Sequence, residues 1–118
     1  IKASGKVRHI GISGLVRDAI DIAARSPGLA EMLQLEASSP ESDWTSLRRT
    51  GRAPHATFGH FRGRAAPDIS TQSRDRWLRE CLTEATRLNP EGVIVFSSRH
   101  AAHIDEAVKA MALIEPEV

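Results

Sequence analysis

The chain contains no tyrosine, one cysteine, two tryptophans and three phenylalanines. Without tyrosine, no phenol is available anywhere in it as a proton donor. A lone cysteine, Cys81, excludes an internal disulfide, and its place in an apolar helical stripe suits a reducing compartment, so the expected location is the cytoplasm. No apolar run approaches the roughly 18 residues of a membrane span and no charged-then-apolar leader is seen, so neither a span nor a signal peptide is expected. A net charge of +1 gives no general pull toward nucleic acid or acidic membranes. What is present is ordinary for a globular chain, with 41% hydrophobic and 26% charged residues. Its 118 residues suffice for one modest core and not for two. The loop-like opening IKASGK, with no initiating Met, reads as the cut end of something longer.

Residues 5–28, GKVRHIGISGLVRDAIDIAARSPG, set the pattern for the rest. A β-branched apolar run over 7–12 predicts a strand, 11–14 a tight turn, and Val16, Ala19, Ile20 and Ala23 one face of a helix stopped by Ser26, Pro27 and Gly28. Arg17 and Asp21 lie one turn apart on that helix and can pair. Residues 30–36 predict a second strand, followed by a short helix with Ser39 as N-cap, Pro40 at its first position and Gly51 at its end. Residues 53–58 predict a third strand with Pro54 at its start, and 59–71 a loop. The broad stripe Trp77, Leu78, Cys81, Leu82, Ala85 and Leu88 predicts a helix over 72–88, ended by Asn89-Pro90-Glu91-Gly92. Residues 93–96 predict a fourth strand, and Ile104, Ala107, Val108 and Met111 a last helix stopping before Pro116.

Strand and helix thus alternate four times, which implies an α/β fold with parallel strands covered by helices. Four such units are about half of a TIM-type (β/α)8 barrel, which takes about 250 residues. A (βα)4 half has two unpaired edges and an open core, to be completed by missing chain or by a second copy. A small open parallel sheet is the alternative.

Four stretches resemble the aldo-keto reductases, in the C-terminal half of their barrel. GKVRHIGISG is similar to the family's G-K-V/I-R-x-I-G-V-S-N at the fifth strand, and Leu33-Gln34-Leu35-Glu36 to V-Q-x-E-Y at the sixth. Ala56-Thr57-Phe58-Gly59 stands in the place of the seventh-strand A-Y-S-P, and GVIVFSSRHAAHIDEAV resembles the eighth strand and its helix. The resemblance implies strands five to eight of an NADPH-dependent carbonyl or alcohol oxidoreductase acting on a small-molecule carbonyl substrate, as a single partial domain. Carried onto matching positions, it implies that Ser13 and Gln34 hydrogen-bond the nicotinamide carboxamide. The backbone from Phe58 and Gly59 to Gly63 would follow the pyrophosphate, and Ser97, Ser98, Arg99 and His103 would surround the adenosine and its 2′-phosphate. A barrel's phosphate site commonly lies after its seventh and eighth strands, where helix N-termini present free N–H groups, and an arginine fork such as Arg99 matches phosphate geometry. The family's asparagine after the serine is Gly14 here, its stacking aromatic is Ala37, and the loop after the last strand is about one residue longer. The family's catalytic Asp, Tyr, Lys and His come from earlier strands, so the segment alone is expected to be inactive.

Each of these residues also has a plainer reading. Ser13 and Gln34 can satisfy strand-end backbone groups, Arg99 can be a surface arginine at a helix start, and His103 can lie on a solvated helix face. His100 with His103 lacks further ligands for a metal site, and none is expected. Residues 45–67 carry Arg48, Arg49, Arg52, Arg62 and Arg64 with no acidic residue. This run is read as a solvated helix end and loop, with Arg62 or Arg64 as alternative phosphate contacts, and not as a nucleic-acid site. Trp44, Trp77 and Cys81 are read as core residues, and Glu36 as a strand-end carboxylate paired with a nearby arginine or an acid in the barrel mouth.

Overall fold

The computed structural model describes residues 2–62 and 71–114. Their order is β1 (Gly11–Gly14), α1 (Val16–Arg25), β2 (Met32–Glu36), α2 (Glu41–Arg49), β3 (Ala56–Phe58), α3 (Thr71–Leu88), β4 (Val93–Ile94) and α4 (Ala101–Ala112). The strands form one sheet in the order β1-β2-β3-β4, and every pairing is parallel. The register places Ser13 beside Gln34, Gln34 beside Ala56, and Ala56 beside Val93.

Successive strand residues point to opposite faces. Leu33, Leu35 and Thr57, each at most 1% exposed, mark the face covered by helices. Ser13, Met32, Gln34, Val93 and Val95 are exposed and mark a face that no described element covers. On the covered side, Val16 and Ala19 of α1 and Trp44 and Leu47 of α2 close over Leu33 and Leu35 in one apolar cluster. Burying each leucine contributes about 1.5–3 kcal/mol. A second cluster joins Leu78 and Leu82 of α3 to Ala107 and Ala110 of α4, with Phe61, Trp77 and Phe96 against it. Thr57, His60 and Asn89, all at most 8% exposed, form a buried polar group. His60 Nε2 and Thr57 Oγ1 are 2.9 Å apart, and Asn89 Nδ2 donates to the same oxygen at 3.3 Å.

Several boundaries differ from expectation. The first strand is not 7–12 with a turn at 11–14, because the expected turn is itself the strand. Its partner β2 begins at Met32, and the chain before that point is folded into a turn at Pro27–Leu29, leaving residues 7–9 no β2 backbone to pair with. Gly11 is required at the crossing, since a Cβ there would stand 2.5 Å from the Met32 carbonyl oxygen. Arg17 pairs with Asp43 at 3.9 Å, and Asp21 with Arg25 at 3.2 Å, so the expected Arg17–Asp21 pair is replaced by two others. Ser39 does not cap α2. Its Oγ accepts from the Val16 N–H at the start of α1, and Pro40 stands at the N-cap of α2, its carbonyl accepting from Asp43 N and Trp44 N. The third and fourth strands are shorter than predicted, although Val95 N still donates to Thr57 O at 2.8 Å beyond β4. The expected loop from residue 63 to 70, with Arg64 and Asp68, and the stop at Pro116 lie outside the described residues. No helix among the described residues is long and apolar enough to cross a membrane.

Candidate functional site

Because the strands are parallel, their C-terminal ends share one rim; the residues singled out from the sequence fall in three groups, of which the second and third follow strand ends at that rim. The first is on the uncovered face. Gln34 Nε2 donates to Ser13 Oγ at 3.4 Å, and the two line a groove of about 290 Å³ with Gly11, Met32, His55 and Ala56. The β1–β2 register puts these side chains next to each other, so the pair follows from pairing alone. Gly14, where the resemblance would have an asparagine, has φ of 151°, a conformation that disfavours any side chain.

The second group lies at the end of β3. Phe58 is followed by Gly59, and the Arg62 guanidinium sits 5.7 Å from the centre of the Phe58 ring while also pairing with Glu36. Glu36 is therefore the arginine-paired carboxylate of the plainer reading. Gly63 and Arg64 are outside the described residues. Of the arginine run, Arg48 pairs with Glu41 at 2.9 Å and Arg52 donates to the Glu31 carbonyl at 3.3 Å.

The third group follows β4. Ser97, Ser98 and His103 line a pocket of about 220 Å³ together with Phe61, Trp77 and Phe96. The aromatic rings form a cluster, with Phe61 and Trp77 centres 5.3 Å apart and Phe61 and Phe96 edge-on at 5.1 Å. Ser98 Oγ lies 3.4 Å from His103 Nδ1 and accepts from the His100 N–H at 3.1 Å. Across the mouth, Arg74 of α3 pairs with Glu106 of α4 at 3.1 Å. The N-terminus of α4 has no side-chain cap, and of its first three N–H groups that of His103 donates to the His100 carbonyl at 3.1 Å. Arg99 is exposed and lines none of these pockets.

Sequence reasoning placed Trp77 in the core and did not single out Arg74. Both come from the middle of the chain, and only the packing of α3 beside α4 brings them to the loop after β4. Among the described residues, no group of three or more His, Cys, Asp or Glu side chains is arranged to hold a metal. The clearest electrostatic perturbation is at Glu31, immediately before Met32 of β2. Lys2, and after it His9, hold the Glu31 carboxyl below the usual glutamate range through hydrogen bonds to its oxygens. Comparison with protein-family models, with curated proteins and with solved structures gives no match to this chain.

Proposed function

We propose that this chain is the cofactor-holding C-terminal half of an aldo-keto reductase barrel, serving NADPH-dependent reduction of a small carbonyl compound or oxidation of the matching alcohol. The observation that carries the reading is the winding of the sheet. Its strands run β1-β2-β3-β4 without reversal and leave one face that no described element covers, with Ser13 and Gln34 side by side on it. A doubly wound sheet reverses its order and covers both faces, whereas one turn of a barrel does neither.

A carboxamide needs one donor and one acceptor, and Gln34 carries both, with Ser13 steadying it. The ring cluster of Phe61, Trp77 and Phe96 offers apolar walls to an adenine. His103, Ser98 and the uncapped start of α4 present donors where a ribose phosphate would lie, with Arg99 beside them. NADPH, when bound, supplies the hydride. The family's tyrosine proton donor would have to come from outside these 118 residues, because the chain has no tyrosine. The chain alone is then a binder without turnover, and the missing half of the barrel completes the enzyme.

The test uses the chain itself and the two ends of the cofactor. Trp77 emission should be quenched by 2′,5′-ADP and not in His103→Ala, while nicotinamide mononucleotide should bind the wild type and not Gln34→Ala. If neither probe binds up to about 10 mM, the reading falls. A second reading, a non-catalytic half-barrel that binds a dinucleotide or dimerises, is favoured by the uncovered sheet face alone. Its dimerising form requires a stable dimer by sedimentation, which the first reading does not.

A further inference from the structure

The sheet ends at two strands that are open to pairing. β1 and β4 are its outer strands, and among the described residues each pairs on one side only. Edge strands are usually blunted by charge, proline or a bulge. Here no charged residue and no proline stands between Ile10 and Val16 or between Gly92 and Ser98. Val93 and Val95 on the last strand are 63% and 39% exposed.

The helix layer stops in the same way. α4 packs on α3 through Ala107 and Ala110, and its Glu106 pairs with Arg74 of α3. Ile104 and Val108 stand about 160° around the helix axis from Glu106, on the flank turned away from α3. They are 43% and 64% exposed. An apolar stripe gains nothing from solvent there, and it lies where the helix of a following strand–helix unit would sit. The surface therefore fits one kind of partner, a parallel strand with its helix on the same face.

The chain carries such a unit at its other end. β1 has its outer edge free and runs parallel to the rest of the sheet, and α1 covers the same face as the other helices. Charge agrees with the match. Glu91 precedes β4 and is exposed, while Lys6 and Arg8 precede β1 and are exposed. With β4 laid beside β1 of a second copy, the carboxylate before one strand falls near the cations before the other.

We infer that two copies of this chain associate head to tail, β4 and α4 of each against β1 and α1 of the other. Two copies bring eight strands, the number at which a parallel barrel of this type closes, so the pair is a ring and not a filament. The uncovered face, with Met32, Gln34, Val93 and Val95, becomes the interior, where each layer takes four side chains from alternate strands, two from each copy. The inference rests on the half-barrel of the second reading above and not on the cofactor.

Sedimentation of the chain at about 10 μM should show a dimer and no larger species. Val108→Lys changes an exposed position on the flank of α4 and should weaken association at least tenfold. Glu91→Lys sets like charges against Lys6 and Arg8 and should weaken it several-fold, and adding Lys6→Glu and Arg8→Glu to the same chain should restore it. Open-ended oligomers, or a dimer unchanged by Val108→Lys, overturn the inference. So does a triple variant that fails to restore the dimer, since two edges of the same kind are then meeting. A monomer also overturns it and leaves the flank to a missing half of the barrel. Binding of 2′,5′-ADP is read on the same sample: a monomer that binds it removes only this inference, and a dimer that does not bind it removes only the cofactor reading.

Discussion

Asn89 links the end of α3 to β3 and β4, and its removal should be felt in the sheet. The side chain is 3% exposed. Its Nδ2 donates to Thr57 Oγ1 at 3.3 Å and to the Val93 carbonyl at 3.2 Å, and its Oδ1 accepts from the Gly92 N–H at 3.0 Å. It therefore ties the end of α3 to both β3 and β4. Asn89→Ala deletes three hydrogen bonds, each worth about 1 kcal/mol net, for a loss of about 3 kcal/mol. Set against a total stability of about 5–15 kcal/mol, this is a large fraction. Urea denaturation followed by tryptophan emission measures it, and with a slope of about 1–3 kcal/mol per molar the midpoint should fall by roughly 1–3 M. Asn89→Asp keeps the acceptor for Gly92 but loses both donors and buries a charge, so it should be at least as damaging as alanine. A loss below about 0.5 kcal/mol in Asn89→Ala, or an aspartate variant clearly more stable than the alanine one, would refute the view that the link to β3 and β4 matters more than the turn.

Three further outcomes are expected. Gly11→Ala would place a Cβ 2.5 Å from the Met32 carbonyl oxygen and should lower stability by about 1–3 kcal/mol in thermal or urea melts, whereas Gly28→Ala, with nothing within 4 Å, should be close to neutral. Glu31 has a carboxyl held below its unfolded value, so its contribution is present above that value and is lost as pH falls through the folded one. Glu31→Gln should thus narrow its gap from wild type as denaturation curves are moved from neutral pH toward about pH 3, and a constant gap would contradict the assignment. Gln34→Ala, on an exposed position, should change stability by less than about 0.5 kcal/mol while abolishing nicotinamide mononucleotide binding, as read by melting and titration of one sample.

The alternation of strands and helices was legible because each helix carries its apolar stripe at a clear period. Leu78, Cys81, Leu82 and Ala85 are buried as that period requires. Strand ends were less legible, since a strand extends only as far as its neighbour's backbone does. Residues 7–9 have a strand-like composition, yet the segment facing them is a turn, and nothing in their own sequence records that. Capping failed for a similar reason. Ser39 looks like a local cap, but its hydroxyl serves Val16, 23 positions away. Of the site, Ser13 with Gln34 and Ser98 with His103 could be paired from the order of strands and the short distance along the chain. The ring cluster with Phe61 and Trp77 could not, because it depends on how α3 and α4 pack. Trp44 was read correctly as buried.

The sheet grows by one strand at a time, each laid beside its immediate predecessor, and this bears on how the chain acquires its shape during synthesis. Nearly all of the first apolar cluster is contributed by residues 12 to 47, so it can condense before the third unit leaves the ribosome. Later units then have a finished template to dock against, and among the described residues each strand pairs only with its immediate neighbours in the sequence. Such nearest-neighbour assembly keeps chain-closure entropy low and favours rapid, vectorial folding.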